Sequence, residues 1–395
     1  MTPLAFTSVF ELFAGPGGMS EGLKLAGIDP TLTMGFEVNQ DACDTAMKAG
    51  HPRLLCDLTT ISPKEAARQF GWPVGFHGSP PCPGFSPAGK GLARKDTEVI
   101  LQAIERMDAG ENPKVVLAWL DSVAKHEGSA LCLEPLHWAL ELMPEWITME
   151  QVATVLPLWE AVAAVLRKRG YSVWVGYMHA EQYGVPQTRK RAILLASRVK
   201  TITGPIAPTH SKFNRNGSLD PDMEKWVSMY EALGWGMTHR PYPTVAAGTA
   251  SGGADPQMLG GSGARAMVRK EFDEGRWVEK GVGFPRRWDG GAGGVLVIDG
   301  EEYRARDLRS EHEPAFTITE KARSWGVYET EKLTGLKQDE KTLTRQALRV
   351  TVEDAGVLQS FSRDYHWQGS RTSQFQQIGN AVPPLMGYAM AASVL

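Results

Sequence analysis

The first two hundred residues alternate between short apolar runs and amphipathic stretches. Phe6 to Phe13 reads as a buried strand, Ser20 to Ala26 as a helix, Leu32 to Val38 as a second strand and Gln40 to Ala49 as a second helix. Apolar runs recur at Arg53 to Cys56, Pro73 to Phe76, Trp146 to Met149, Tyr171 to Tyr177 and Arg191 to Ala196, with helical runs between them, notably Val155 to Arg169. Strands alternating with helices predict an α/β fold built on a mainly parallel sheet. The texture changes near Thr201. From there to about Arg345 the chain is rich in Gly, Trp and Pro with weak periodicity, and glycines cluster over Gly248 to Gly263 and Gly281 to Gly294. That stretch reads as an irregular, loop-rich second domain. It holds a faint echo, in which Arg240-Pro241-Tyr242-Pro243-Thr244-Val245 resembles Glu313-Pro314-Ala315-Phe316-Thr317-Ile318; two copies are too few for a solenoid. Regular pattern returns near Arg349, and the chain closes on an apolar helix, Leu385 to Leu395, which must bury itself against the α/β domain.

Composition narrows the class. With 42% hydrophobic and 22% charged residues the chain looks like an ordinary globular protein. No apolar run reaches the ~18–20 residues of a membrane-spanning helix, and Met1 to Phe13 lacks the features of a secretion signal, so a cytoplasmic protein is expected. The four cysteines, Cys43, Cys56, Cys82 and Cys132, form no C-x-x-C pair, and no histidine stands at zinc-finger spacing. This argues against structural zinc and a disulfide framework, and no metal is expected. The net charge of −3 does not decide nucleic-acid binding. One stretch is locally basic, where Arg265, Arg269, Lys270, Arg276, Lys280, Arg286 and Arg287 outnumber the acids.

Chemistry concentrates at the predicted strand ends. Phe13-Ala14-Gly15-Pro16-Gly17-Gly18 ends the first strand and opens a helix; glycines there let the backbone approach a ligand closely. Glu37 ends the second strand, where an acid accepts hydrogen bonds from ribose hydroxyls, and Asp57 follows the third apolar run, placed for an adenine amino group. The turn lacks the full G-x-G-x-x-G and the lysine of a P-loop, so a nucleoside without phosphates, such as S-adenosylmethionine, fits it better than a pyrophosphate. Cys82 sits among prolines in Gly78-Ser79-Pro80-Pro81-Cys82-Pro83-Gly84-Phe85-Ser86. Proline fixes φ and offers no N–H, so the thiol is expected on a stiff turn rather than a helix. Glu150 ends another strand, where a carboxyl in apolar surroundings acts as an acid near neutral pH. Alternation through Gln187-Thr188-Arg189-Lys190-Arg191 places Gln187, Arg189 and Arg191 on one face, suited to a phosphate or a base carbonyl. Taken singly, each acid also reads as a helix cap or surface charge, and Cys82 as a buried inert thiol.

In this order the motifs resemble the cytosine-C5 DNA methyltransferases. The match also takes in Glu150-Gln151-Val152, Arg349 to Phe361 with Leu358-Gln359-Ser360-Phe361 at its end, and Gly379-Asn380-Ala381-Val382-Pro383-Pro384. The resemblance implies a Rossmann-like, S-adenosylmethionine-dependent sheet over residues 1–200 plus 346–395, with an inserted target-recognition domain over 201–345. It implies Phe13, Gly15, Gly17, Gly18, Glu37, Val38, Asp57, Asn380 and Val382 as cofactor contacts. It further implies Cys82 as the nucleophile toward cytosine C6, Glu150 on the N3 and N4 edge, and Arg191 with Arg189 on the O2 side. The target base of a double-stranded DNA would be flipped out of the duplex, with Ser86 to Asp96 closing over it. Two positions depart from the family pattern: Pro83 stands where Gln is usual, and Gln151 where Asn is usual. Residues 105 to 130, with Trp119 and Glu127, read as a helical insertion beyond a minimal member. A monomer is expected. The setting stays open between a companion restriction nuclease acting on the same site, a phage genome and a solitary role. A cytosine-C5 RNA methyltransferase and a catalytically silent DNA-binding protein on the same scaffold remain as alternatives.

Overall fold

The computed structural model describes residues 8–81, 96–126, 128–211, 223–227, 229–233 and 351–395, with the short pieces 295–298, 301–304, 314–315, 318, 326–327 and 348–349. Its centre is a seven-stranded sheet of β1 (Ser8–Leu12), β2 (Thr33–Glu37), β3 (Arg53–Leu55), β4 (Pro73–Gly78), β5 (Trp146–Val152), β6 (Ser172–His179) and β7 (Lys190–Ser197). In space the order is β3-β2-β1-β4-β5-β7-β6. The first five strands pair in parallel, as the alternating pattern predicts. β7 runs antiparallel to both of its neighbours.

Helices cover the sheet: α1 (Gly18–Leu25), α2 (Gln40–Lys48), α3 (Pro63–Phe70), α4 (Thr97–Asp108), α5 (Pro113–Val123), α6 (Glu134–Leu142) and α7 (Leu156–Lys168). Local chemistry sets their starts. The Asn39 side chain accepts from Ala42 N–H to cap α2, and Pro63 and Pro113 occupy first-turn positions where no N–H is needed. Residues 105 to 130 hold the end of α4 and all of α5, and Trp119 packs under the Arg106 guanidinium, 4.5 Å from the ring centre. Glu127 lies outside the described residues. After the sheet come α8 (Met229–Leu233), α9 (Val352–Leu358), α10 (Arg371–Asn380) and α11 (Pro384–Val394). Thr351 and Asp354 form a reciprocal capping box at the start of α9.

Two apolar clusters enclose the sheet. Phe10, Phe36, Phe76, Ile147 and Leu194 meet Trp138, Trp159 and helices α4–α7 in one; Val9, Met19, Leu23, Ile193 and Leu195 meet Met386, Met390 and Val394 of α11 in the other. The C-terminal helix therefore docks where its apolar sequence requires. It crosses α1 closely: a Cβ at Gly22 would stand 2.6 Å from the Gly387 carbonyl carbon. A third cluster joins Met229, Leu233, Ala315 and Ile318 to α9, α10 and the aromatic group Phe361, Tyr365 and Trp367. Of the two echoed segments, 240–245 lies outside the described residues. In the other, Ala315 forms a parallel bridge with Gln187.

Candidate active site at the carboxyl edge of the sheet

Parallel pairing brings the carboxyl ends of β1 to β5 to one edge. Leu12 pairs with Phe36 and Gly78, Gly78 with Met149, and Glu37 with Leu55. The Phe13–Gly18 turn, Glu37, Asp57, Ser79–Pro81 and Glu150 thus leave the sheet side by side. The strand order reverses between β1 and β4, the place where open α/β sheets bind ligands. Because β7 runs the other way, it begins at this same edge, and Arg191 pairs with Val152.

On the β1–β3 side the backbone is shaped rather than filled. Phe13, Gly15 and Gly17 have φ of 57°, 56° and 108°. At Gly17 a Cβ would also stand 2.6 Å from the Tyr365 hydroxyl, which donates to the Pro16 carbonyl at 2.6 Å. Glu37 accepts from Gly15 N–H through Oε2 (2.8 Å) and from Val38 and Asn39 N–H through Oε1 (2.9 and 2.8 Å). A carboxylate offers about four lone-pair sites, so Oε2 keeps capacity for a further donor. Val38 beside it is 68% exposed, an apolar surface available to cover a ring. Asp57 caps the turn Leu58–Thr60 through Oδ1, which accepts from the Thr59 N–H and hydroxyl, and its side chain remains exposed. Val382 closes against the turn, since a Cβ on Gly18 would lie 2.0 Å from its carbonyl oxygen. Asn380, at the end of α10, is exposed two residues before it. The turn, the ribose-type acceptor and the exposed apolar residue fit a nucleoside cofactor.

On the β4–β7 side polar groups converge on Glu150. Ser79 Oγ donates to Glu150 Oε2 at 2.7 Å, Arg191 Nε stands 2.9 Å from Oε1, and Arg189 Nη2 is 4.0 Å from Oε1. Glu150 and Arg189 are buried, and Oε1 lies without an aligned hydrogen bond among the described residues. The surroundings of Glu150 are therefore cationic and polar, not apolar as its own strand suggests; β4 and β7 supply them. Burial, then the charge of Arg191, push the Arg189 guanidinium down to about 9, against the opposing pull of Glu150. Burial likewise lowers Arg191. Arg189 Nη1 donates to the Gly379 carbonyl at 3.0 Å. Gln187 does not share the arginines' surroundings. It precedes β7 and is fully buried, donating to the Leu358 carbonyl (2.9 Å) and to Gln359, and accepting from Ile318 N–H (2.9 Å).

Cys82 and Pro83 lie outside the described residues, as does Ser86–Lys95 of the basic loop; Asp96, its last residue, is described. The approach to the thiol is described. After β4 come Ser79, Pro80 and Pro81, and Gln151 donates through Nε2 to the Pro80 carbonyl while its Oε1 accepts from Val152 N–H (2.5 Å). Asp96 is buried, accepting from Lys125 and His126 N–H and from Ser129 Oγ, each at 2.9 Å. The sequence reading missed Ser79 and Tyr365. Ser79 carried a signal, as the polar residue ahead of the prolines; Tyr365 reaches Pro16 across 349 positions and carried none.

Among the described residues no group of three or more His, Cys, Asp or Glu is placed to hold a metal ion, and no helix is long and apolar enough to cross a membrane. Type II methyltransferase M.AgeI of Thalassovita gelatinovora is 24% identical, covering 97% of this chain and 98% of its own. Type II methyltransferase M1.HphI of Haemophilus parahaemolyticus is 26% identical, over 98% of this chain and 86% of its own. The fold matches the Dnmt2 methyltransferase of S. pombe (TM-score 0.54, 15% identity, 98% and 97% of the two chains) and methyltransferase EhMeth of Entamoeba histolytica (0.52, 13%, 97% and 96%). The model of the C-5 cytosine-specific DNA methylases matches residues 7–118 and 122–395. That match spans nearly the whole chain, so the chain belongs to the C-5 cytosine-specific DNA methylases and is a DNA cytosine-5 methyltransferase that uses S-adenosylmethionine.

Proposed function

We propose that Cys82, Glu150, Arg189 and Arg191 carry the reaction on a cytosine flipped out of a specific duplex DNA sequence. Residues 1–200 plus 346–395 would form the catalytic unit and 201–345 the part that selects the site. The observation that supports this most directly is the Glu150 cluster. A buried carboxylate held by Ser79 at 2.7 Å and Arg191 at 2.9 Å stands where β4 leads through Pro80 and Pro81 into Cys82.

In this reading the Cys82 thiolate forms a bond to cytosine C6, with the electron pair moving onto the ring. Glu150 would accept from the N4 amino group and share a proton with N3, and Arg191 with Arg189 would hold the O2 side, so charge developing on the ring meets fixed partners. Phe13, Gly15, Gly17, Gly18, Glu37, Val38, Asp57, Asn380 and Val382 would hold S-adenosylmethionine, which supplies the methyl group as a sulfonium. C5 would take the methyl as the S–CH3 bond breaks and the donor leaves as the neutral thioether S-adenosylhomocysteine. The C5 proton would then pass to solvent, and the electron pair of the C5–H bond would re-form the ring double bond and expel Cys82 as a thiolate. Ser86–Asp96, basic and anchored by the buried Asp96, would close over the DNA. The Type II names of the relatives support a companion restriction nuclease acting on the same site, and we take the protein as a cytoplasmic monomer.

Duplex DNA carrying 5-fluorocytosine tests the assignment, because fluorine at C5 blocks the final elimination. Incubation with cofactor should give a covalent protein–DNA species by mass spectrometry, absent in Cys82→Ser. Cofactor binding without an adduct in the wild type would refute the proposed chemistry. Bisulfite sequencing of DNA from expressing cells would give the target sequence.

A further inference from the structure

Arg53 lies in β3, outside every motif named above, yet its guanidinium is fully buried and reaches two strands across to the glycine turn. Its Nε donates to the Gly15 carbonyl at 3.3 Å, Nη2 to Ser20 Oγ at 2.7 Å and Nη1 to the Pro52 carbonyl at 3.0 Å. Ser20 Oγ in turn donates to Glu11 Oε1 at 2.6 Å, and Glu11 Oε2, itself buried, lies 3.9 Å from Nη2. Strand β2 makes way for the side chain: a Cβ on Gly35 would stand 2.5 Å from Nη1. Burying an Arg–Glu pair costs more than burying apolar residues of the same volume. The arrangement has a definite result. Gly15, in the left-handed region at φ 56°, is gripped at both ends of its backbone, N–H by Glu37 (2.8 Å) and C=O by Arg53.

We infer that Arg53, with Glu11 and Ser20 as its buried partners, is a positioning residue for the cofactor: it fixes the Gly15 peptide in the conformation that receives S-adenosylmethionine and so sets cofactor affinity. The inference rests on the proposed placement of the cofactor at the Phe13–Gly18 turn. Arg53 need not touch the cofactor, and it lies away from the cytosine cluster. Its removal should therefore raise the cofactor KM without changing the KM for DNA or kcat at saturating cofactor.

The test uses the 395-residue chain and three variants. Arg53→Lys keeps the charge but cannot reach Gly15 and Ser20 together. The pair Arg53→Met with Glu11→Leu removes both buried charges at once and stays informative if a lone charge prevents folding. Gly17→Ala, which would meet Tyr365 at 2.6 Å, probes the turn itself. The expected result is a rise of about tenfold or more in Kd (by calorimetry) and KM for S-adenosylmethionine in Arg53→Lys and in the paired variant. The DNA KM and saturating kcat should stay within about twofold of wild type. Folded Arg53 variants with wild-type cofactor affinity, while Gly17→Ala loses it, would overturn the role of Arg53 and leave the cofactor site standing. Wild-type affinity in all three would remove the cofactor site as well. A parallel fall in cofactor affinity, DNA affinity and kcat would show general structural damage and would also overturn the inference.

Discussion

Gly18→Ala adds one methyl group to the first residue of α1, at a close backbone approach in the region proposed to hold the cofactor. The new Cβ would lie 2.0 Å from the Val382 carbonyl oxygen, 3.1 Å from its carbonyl carbon and 3.2 Å from Phe361 Cζ. The obstacle is backbone, so no rotamer change relieves it, and about 1 Å of movement is needed before the oxygen contact reaches 3.0 Å. That movement cannot stay local. Val382 is bracketed by Ala381, whose N–H bonds to the Gln377 carbonyl, and by Pro383, whose carbonyl accepts from Gly387 N–H at 2.8 Å in the first turn of α11.

Overpacking of this kind costs about 1–3 kcal/mol, which for a domain of this size lowers Tm by roughly 2–10 °C. The functional cost should be larger in proportion, because a displacement of about 1 Å between binding groups is worth up to about a hundredfold. Scanning fluorimetry and calorimetric titration with S-adenosylmethionine measure the two effects. Gly50→Ala is the control: its φ is 88° but nothing stands within 4 Å of the new Cβ, so it bears only a backbone cost of about 1–2 kcal/mol. Gly18→Ala with wild-type Tm and cofactor affinity, or no worse than Gly50→Ala in both, would refute the packing of Val382 on the turn.

Other changes separate the remaining parts of the site. Glu150→Gln leaves the buried Arg189 and the partly buried Arg191 without their acid and should cost about 3–5 kcal/mol in urea unfolding; adduct formation on 5-fluorocytosine DNA should slow at least about a hundredfold, and an unchanged rate counts against its role at the base. Gln151→Ala removes the donor to the Pro80 carbonyl; single-turnover methylation should slow by about tenfold or more while cofactor Kd holds, with Gln151→Asn between the two, and equal rates would show that the tether does not aim the thiol. His77 is buried, meets Thr148 Oγ1 at 2.9 Å, and is pushed by burial from 6.5 down to about 4. Below about pH 6.5 the unfolded chain binds a proton the folded chain refuses, so stability should fall as pH drops toward 4, by about 3 kcal/mol from this group. A His77→Gln variant should lack that component of the urea midpoint's pH dependence, and an identical acid limb would show that His77 does not titrate as its burial requires.

The elements that place the site were legible because each pairs an apolar run with a local signal: a glycine turn after β1, an acid closing β2, prolines after β4. What was not legible depends on neighbours in space. An apolar run looks the same in either chain direction, so nothing in Arg191 to Ala196 distinguished the antiparallel β7 from the parallel strands. Glu150 follows apolar residues of its own strand, and an apolar pocket was the natural expectation, but Ser79 and the two arginines arrive from β4 and from the start of β7. Alternation places Gln187 on one face with Arg189 and Arg191, but regular strand begins only at Lys190, so period two does not extend back to it. Arg53 was read only as the start of an apolar run, because its destination, the Gly15 carbonyl, lies two strands away.

In the proposed mechanism, the direction of β7 is also what brings the arginines to the acid. Parallel strands deliver their last residues to the carboxyl edge, and here those residues are turns and acids. A strand entering from that edge delivers its first residues instead. Had β7 run parallel, Arg191 would lie at the opposite end of an eight-residue strand, about 25 Å away at ~3.3 Å per residue, and Glu150 would be a buried carboxylate facing only Ser79. One reversed strand thus supplies the cations that make a buried acid tolerable and, in the proposed mechanism, the groups that hold the base. Arg189, just ahead of that strand, extends the effect by donating to the Gly379 carbonyl, next to the Asn380 and Val382 assigned to the cofactor. Loss of Arg189 should consequently weaken cofactor binding as well as base capture, whereas loss of Arg191, which bonds to Glu150 and to the Lys190 carbonyl, should affect base capture alone. Cofactor titrations of Arg189→Ala and Arg191→Ala decide it, and equal cofactor affinity in the two would sever the proposed link between the halves of the site.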